Sequence, residues 1–341
     1  MTTLTAELRA SSIHETKARI QSIDVLRGVI MVIMALDHVR DFFHIHGLDE
    51  DATNLTTTTP LLFFTRWITH YCAPNFLFLS GLSAYLSGRS KTKAQLSADL
   101  VKRGLFLILI ELIVTTFAFT FDPLFHTFIL QVIWAIGVSM IILGLLVRAP
   151  LTLIFSIGLI IMFGHNLFDY VQLKGQGTTL EIVNFFVQTP PSLVKLDKTH
   201  TVFVLYAAVP WLGAMLLGYS AGRLYEMDNL KRKKILLFLG FSAIILFILI
   251  RGGNHYGDPR PWMVQKESLF TLLSFLNVNK YPPSLDYFLM TIGPGLIFLA
   301  LTESANSTFA NFLKIYGRVP FFYYVVHFYV IHVLCVIAFF V

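Results

Sequence analysis

A strongly apolar stretch near the start of the chain carries several side chains that could perform acid–base chemistry. It reads LRGVIMVIMALDHVRDFFHIH over residues 26–46 and includes Arg27, Asp37, His38 and Asp41. Histidine suits general base or nucleophilic catalysis because its unperturbed pKa lies near neutrality. A carboxylate beside an imidazole can orient it or balance its charge, and helical spacing leaves open which of the two aspartates would do so.

Arg27 and His38 are predicted to share one face of a helix. Their separation of eleven residues corresponds to three turns plus about 20° and to roughly 16 Å along the axis. Ionisable groups in lipid cost a few kcal/mol each and usually mark a substrate path, a proton relay or a reaction site. The alternative is structural: Asp37 and His38 join helices through hydrogen bonds, while Arg27 extends to the lipid headgroups.

The composition predicts the elements that position these residues. The chain has 341 residues, of which 55% are hydrophobic and only 13% charged, and its mean hydropathy is +0.69. These values predict an all-α, polytopic integral membrane bundle of about 9–11 transmembrane helices. The predicted spans are 23–45, 60–87, 101–121, 125–147, 150–166, 201–222, 234–250, 283–303 and 318–341, and the shorter 268–279 is predicted to be a re-entrant or broken helix.

Charge in the loops predicts the orientation of the bundle. Basic residues dominate the loops 88–103 and 222–234, whereas 46–59 contains acids without Lys or Arg. The positive-inside rule then places the basic loops and the N-terminal segment 1–22 in the cytoplasm, followed by a single membrane domain, 23–341. The same rule explains the net charge of +6, so no nucleic-acid partner is expected.

Other ionisable residues fall at breaks in the apolar pattern. His70 precedes CAPNF on the same side of the membrane as His38, so both histidines are predicted to face one cavity; alternatively, His70 caps a helix or bonds a carbonyl. The turn-rich RGGNHYGDPRPW contains His255 and Asp258, which could line an acceptor site or shape the loop. Lys280, in NKYPPS, lies where a broken helix could bring it to an anionic group.

The last span contributes three more candidates. Tyr324 and His327 lie about one turn apart on one face, and Arg318 lies near the inner end, where it could hold a phosphate. Glu111 is an intramembrane carboxylate that needs a partner, with functional and structural roles equally open. No metal site is predicted, because the histidines of HVRDFFHIH point in different directions on a helix and the two cysteines are too few.

Several of these stretches resemble one family. SIDVLRGVIMVIMALDH is similar to the opening of the transmembrane acyltransferase superfamily, in which a basic residue and a histidine are separated by ten residues on the first helix. This superfamily includes the acyltransferase 3 family, the YeiB-like proteins and heparan-α-glucosaminide N-acetyltransferase. Further blocks that resemble the last group are RWITHYCAPNFLFLSGLSAYL, PWLGAMLLGYSAGRL, NHYGDPRPW, NKYPPSLDYFLMTIGP and YGRVPFFYYVVHFYVIH, which extend the resemblance over residues 22–332.

The resemblance implies a reaction. A protein of this kind in a bacterial cytoplasmic membrane would move an acetyl group from cytoplasmic acyl-CoA to an amine or hydroxyl of a carbohydrate or glycolipid outside. On this hypothesis the residues divide into catalytic candidates (His38, His70, Asp37 and Asp41), CoA-binding candidates (Arg27, Lys280 and Arg318) and acceptor-binding candidates (His255, Asp258, Tyr324 and His327). Whether His38 or His70 is the base stays open. A transporter or proton-coupled carrier that uses the same polar stripe is the alternative.

Overall fold

The computed structural model describes residues 19–45, 47, 50–170 and 192–340. Three parts of the chain lie outside the described residues: most of the predicted N-terminal segment 1–22, the histidine at position 46, and most of the segment between the predicted spans 150–166 and 201–222.

The described chain is predominantly helical. Its α-helices, in chain order, are α1 (Gln21–Phe43), α2 (Pro60–Thr69), α3 (Cys72–Gly88), α4 (Lys93–Ile110), α5 (Thr116–Thr120), α6 (Val132–Leu146), α7 (Leu151–Gly164), α8 (Ala208–Ala221), α9 (Asn229–Gly253), α10 (Ser268–Leu276), α11 (Leu285–Leu301), α12 (Thr308–Arg318) and α13 (Pro320–Phe340). A π-helical turn, Glu111–Thr115, connects α4 to α5, and a 3₁₀ turn, His165–Tyr170, follows α7.

The protein is an all-α membrane protein. Within the described ranges, three helices are long and apolar enough to cross a bilayer by themselves: Leu151–Tyr170, Asn229–Gly253 and Pro320–Phe339. Large apolar side chains such as Phe238, Leu249 and Phe322 are exposed on these helices, as expected for surfaces that contact lipid. Other predicted spans are interrupted: 60–87 divides at His70 and Tyr71 into α2 and α3.

A small sheet replaces the beginning of two predicted helices. Strand β1 (Thr127–Leu130) pairs in parallel with β3 (Thr201–Val204), and β2 (Ser192–Lys195) pairs antiparallel with β3. The predicted spans 125–147 and 201–222 therefore become helical only at Val132 and Ala208. Their first residues satisfy their backbone hydrogen bonds across the sheet instead of along a helix.

Close helix packing forms the centre of the bundle. A Cβ added to Gly81 of α3 would lie 2.0 Å from the carbonyl oxygen of Met215 in α8, and one added to Gly218 of α8 would lie 2.0 Å from that of Phe78. Glycine is required at both positions because the two backbones are in contact there. The same two helices contribute side chains to the core that also contains Ile30 and Met31 of α1.

Helix α1 defines the two ends of the bundle. Arg27 lies in its first half and His38 in its second half. The segments around Arg89 and Glu226, which contact each other at 4.0 Å, lie beyond the Arg27 half because α3 carries Ser83 beside Arg27 and then ends at Gly88. We refer to these as the Arg27 end and the His38 end.

Candidate active site

A cavity of about 490 Å³ opens at the His38 end, and we call it the His38 cavity. Helix α1 contributes Asp37, His38 and Asp41 to its wall, and the break between α2 and α3 contributes His70. Other polar or charged residues of its lining are Arg40, Glu50, Asp51, Thr53, Arg66, Thr69, Gln131, Tyr206, Arg260, Asn277, Asn279, Lys280, Tyr281 and Tyr324. The cavity thus brings together both candidate histidines and both candidate aspartates.

Asp37 is the centre of an ion-pair network in this wall. Its carboxylate accepts hydrogen bonds from Arg66 Nη1 at 2.8 and 2.9 Å and from the Thr69 hydroxyl at 2.8 Å. Arg40 also donates to it, and Lys280 Nζ lies 3.8 Å away. Asp37 therefore positions three cations around the cavity, and its oxygens do not bind an imidazole among the described residues.

His38 has the other aspartate beside it. Its Nδ1 lies 3.6 Å from Oδ2 of Asp41, a longer separation than a hydrogen bond. Asp41 also accepts a 2.8 Å hydrogen bond from Arg40. The imidazole packs against the Phe328 ring, with centroids 4.2 Å apart, and against the His327 ring at 5.1 Å.

His70 lies on the same cavity but in different surroundings. Its ring meets Tyr287 edge-on at 5.3 Å, and the Tyr287 hydroxyl donates to the His70 backbone carbonyl at 2.9 Å. The ring Nδ1 is buried and has no hydrogen-bond partner within the part of the chain that the structure describes. The charged side chains nearest to this imidazole include Lys280 and Arg66.

Lys280 enters the cavity from the turn between α10 and α11. Asp258 holds this turn by accepting hydrogen bonds from the Asn279 N–H at 2.7 Å and the Ser284 hydroxyl at 2.6 Å. Burial raises the pKa of Asp258, although Arg251 and these donors oppose the shift. Asp258 does not line any of the three cavities described here, so its observed contacts are those of a residue that shapes the loop.

A second cavity of about 420 Å³ lies toward the Arg27 end, and we call it the Arg27 cavity. Arg27 donates to the Ser83 hydroxyl and, at 3.4 Å, to the Leu79 carbonyl, and its Nη1 lies 3.7 Å from Asp24. The wall also includes Arg103, while most of the rest is apolar: Met31, Phe76, Ala84, Leu100, Phe106, Leu107, Val132, Ile133, Ile136, Met140, Pro320 and Phe321.

The two cavities are adjacent along the same helices. Among the described residues, Phe76, Val132 and Tyr324 line both of them. Arg27 and His38 therefore line two neighbouring cavities with these three residues between them, and we call the three residues the constriction. A third cavity of about 410 Å³ adjoins the His38 cavity and shares Asp51 and Arg260 with it, together with Thr53 and Asn277.

The loop that contributes Asp51 and Thr53 to both the His38 cavity and the third cavity is stabilised by charge interactions and hydrogen bonds. Burial acts to raise the pKa of Asp51, but the Thr53 N–H and hydroxyl, together with Arg66 and Arg260, outweigh burial and lower that pKa. The Thr53 N–H donates to Asp51 at 3.0 Å and its hydroxyl at 2.8 Å. Asp51 is therefore held as a carboxylate between the His38 cavity and the third cavity.

Arg318, His255 and His327 lie outside these cavities. Arg318 is exposed at the end of α12, and His255 is exposed in the loop after α9. His327 lies behind His38, where its Nδ1 is 3.0 Å from the Tyr323 carbonyl oxygen. Among the candidates from the last span, only Tyr324 lines a cavity, and it lines both the His38 cavity and the Arg27 cavity.

Sequence reasoning missed the cations that surround Asp37. Arg66 and Arg40 each pair with it, yet only Lys280 is a sequence candidate among the three. The signal was present in RWITH, because an arginine inside an apolar span four residues before a histidine needs a buried partner. Within the described residues, no group of three or more His, Cys, Asp or Glu side chains is placed to hold a metal ion.

Comparison with known families gives one match. The model of the heparan-alpha-glucosaminide N-acetyltransferase catalytic domain matches residues 19–256. The matched region includes α1, α3 and α6, which line both cavities, and it ends before Lys280 and Tyr324. A comparison with curated proteins found no match.

Proposed function

The chain belongs to the heparan-alpha-glucosaminide N-acetyltransferase catalytic family, and on that premise we propose that it moves an acetyl group from acyl-CoA to a glycan amine or hydroxyl across the membrane. The donor enters the Arg27 cavity from the cytoplasm, and the acceptor enters the His38 cavity from outside. The observation that supports this proposal is the pair of cavities that meet at Phe76, Val132 and Tyr324. A route between opposite ends of the bundle suits a donor and an acceptor on different sides.

The Arg27 cavity matches the chemistry of CoA. Arg27 and Arg103 offer guanidinium groups for phosphates, and the apolar wall offers contacts for the methyl and methylene groups of the pantetheine arm. Basic residues in the adjoining segments, such as Arg89 and Lys91, add positive charge at this end and favour its cytoplasmic placement. The arm would extend toward the constriction with the thioester leading.

The His38 cavity holds the groups for the transfer itself. We assign the general base to His38, because Asp41 lies beside its Nδ1 and a carboxylate there stabilises the imidazolium that forms. His70, with Lys280 and Arg66 as charged neighbours, is assigned to acceptor binding. The polar lining and the adjoining third cavity suit a carbohydrate, which offers many hydroxyl groups.

The test is acetyl transfer by purified protein in lipid nanodiscs, with radiolabelled acetyl-CoA as donor and an α-glucosaminide as acceptor. His38→Ala should reduce transfer about 10²- to 10⁴-fold, the range expected for loss of a general base. The matched control is His126→Ala, an exposed histidine paired with Asp122 outside both cavities, and it should retain transfer.

Two outcomes would contradict the proposal at different levels. Full acetyl transfer by both His38→Ala and His70→Ala would exclude the histidine mechanism, but the protein would still be an acetyltransferase. Absence of acyl-CoA binding, together with saturable solute uptake into proteoliposomes, would instead identify a carrier that uses the same connected cavities.

A further inference from the structure

Tyr324 lines both the His38 and the Arg27 cavity, and its hydroxyl is a buried hydrogen-bond donor. The residue is 3% exposed, and its hydroxyl has no hydrogen-bond partner among the described residues. Unpaired buried hydroxyls are rare in folded proteins, because burial removes water without replacing its hydrogen bonds. The position of this hydroxyl therefore calls for a partner that enters one of the cavities.

The Tyr324 ring is held in place by its neighbours on α13. Its centroid lies 5.3 Å from the Phe328 ring in an edge-on arrangement and 5.7 Å from the His327 ring. Of the three side chains that line both cavities, those of Phe76 and Val132 are apolar. Tyr324 thus supplies the sole hydrogen-bond donor among these three constriction residues, and packing fixes its direction.

We propose that Tyr324 is a catalytic residue whose hydroxyl donates a hydrogen bond to the thioester carbonyl oxygen of the acyl donor. This assignment rests on the proposed function, in which the thioester must lie between the Arg27 cavity and His38. A group at that position meets the three constriction residues, and the carbonyl oxygen is the acceptor that the Tyr324 hydroxyl lacks.

The hydrogen bond would strengthen as the reaction proceeds. The nitrogen or oxygen lone pair of the glycan attacks the thioester carbon, and the carbonyl π electrons move onto the oxygen bound by Tyr324. Collapse of this intermediate restores the C=O bond and breaks the C–S bond, whose electron pair leaves on sulfur. His38 takes the proton from the attacking group and returns it to the thiolate, so the products are acylated glycan and CoA thiol. A donor aimed at the developing oxyanion lowers the barrier more than it tightens ground-state binding.

Two other polar side chains of these cavities already have partners. Ser83 donates to the Leu79 carbonyl at 2.6 Å and accepts from Arg27. Lys280 lies beside Asp37, within the His38 cavity. The Tyr324 hydroxyl is therefore the best-placed of these groups to bind a carbonyl that crosses between the chambers.

Tyr324→Phe tests the proposal by removing one oxygen atom while keeping the packed ring. Its kcat should fall about 10²- to 10³-fold, as for loss of one oxyanion donor, whereas its KM for acetyl-CoA should rise only about tenfold, through the lost ground-state hydrogen bond. The control is Tyr323→Phe: Tyr323 is adjacent in sequence and half-buried, and it stacks on His327 without lining either cavity. It should leave kcat unchanged.

A binding measurement tests the same contact without turnover. The protein should bind acetyl-CoA about tenfold more tightly than S-ethyl-CoA, a thioether that lacks the carbonyl oxygen, because one hydrogen bond is lost. Tyr324→Phe should bind the two ligands equally, whereas Tyr323→Phe should keep the preference. The wild-type preference is measurable even if Tyr324→Phe does not fold.

The outcomes separate this assignment from the proposed function. If the wild type transfers acetyl groups and Tyr324→Phe matches it in kcat, the role of Tyr324 is overturned and the acyltransferase remains. Equal binding of acetyl-CoA and S-ethyl-CoA by the wild type would also overturn it. If the wild type binds no acyl-CoA at all, the proposed function fails and this assignment fails with it.

Discussion

Asp37→Asn preserves the shape of the side chain at the centre of the His38 cavity but removes the charge that Arg66, Arg40 and Lys280 share. Arg40 keeps a carboxylate partner, because Asp41 accepts its 2.8 Å hydrogen bond. Arg66 loses its charged partner and keeps one amide oxygen as an acceptor, and Lys280 loses the carboxylate 3.8 Å from its ammonium. The substitution therefore leaves two largely buried cations without a carboxylate in hydrogen-bond range among the described residues.

The expected loss of stability follows from the burial of these two cations. Breaking a buried ion pair by removing one partner costs about 3–5 kcal/mol. The Arg66 and Lys280 side chains retain 16% and 8% exposure at the cavity wall, so partial hydration places the expected loss near the lower end, about 3 kcal/mol. Thr69→Val removes a single neutral donor to the same carboxylate and should cost about 1 kcal/mol.

The assay is reversible unfolding in mixed detergent–SDS micelles, monitored by tryptophan fluorescence, for the wild type and each variant. Arg66→Gln and the double variant complete a cycle with Asp37→Asn. Because the residues are in direct contact, their effects should be non-additive by about 2 kcal/mol. Two results would show that the ion-pair network does not stabilise the protein. The first is a loss of stability in Asp37→Asn no greater than that in Thr69→Val, and the second is additive effects in the double-mutant cycle.

Two further predictions concern the donor end and the helix packing. Arg27→Gln should raise KM for acetyl-CoA about tenfold with little change in kcat. The control Arg318→Gln changes an exposed arginine outside both cavities and should leave KM unchanged. Equal effects of the two variants on KM would mean that the CoA phosphates do not bind at Arg27. Gly81→Ala should destabilise the protein by about 3 kcal/mol or more in the same unfolding assay, because its Cβ would overlap the Met215 carbonyl. The control Gly164→Ala places its Cβ in open space and should not change the stability. Similar losses of stability in the two variants would contradict the close contact between α3 and α8.

The sequence was most informative for the helix with the unusual charges. The prediction 23–45 closely matches α1, Gln21–Phe43, because a long apolar run has few alternatives in a membrane protein. Helical periodicity placed Arg27 and His38 on one face, and the structure has them facing adjacent cavities. Local patterns of this kind depend on residues within one helix.

Features that depend on contacts between distant segments could not be predicted in this way. Residues 127–130 form an apolar run that reads as helix, and their partner strand at 201–204 is remote in the sequence. The pairing of Arg66 with Asp37 likewise depends on how α2 packs against α1. The sequence indicated that each charge needs a partner, but hydropathy does not say which charges meet.

The constriction formed by Phe76, Val132 and Tyr324 also bears on the permeability of the membrane. Two chambers at opposite ends of a bundle would let ions leak down their gradient if water filled both chambers continuously. Two apolar side chains and one aromatic ring lie between the chambers, and hydrophobic constrictions block ions by dewetting. On the proposed function, the constriction passes an acyl group along its carrier while it insulates the two compartments electrically.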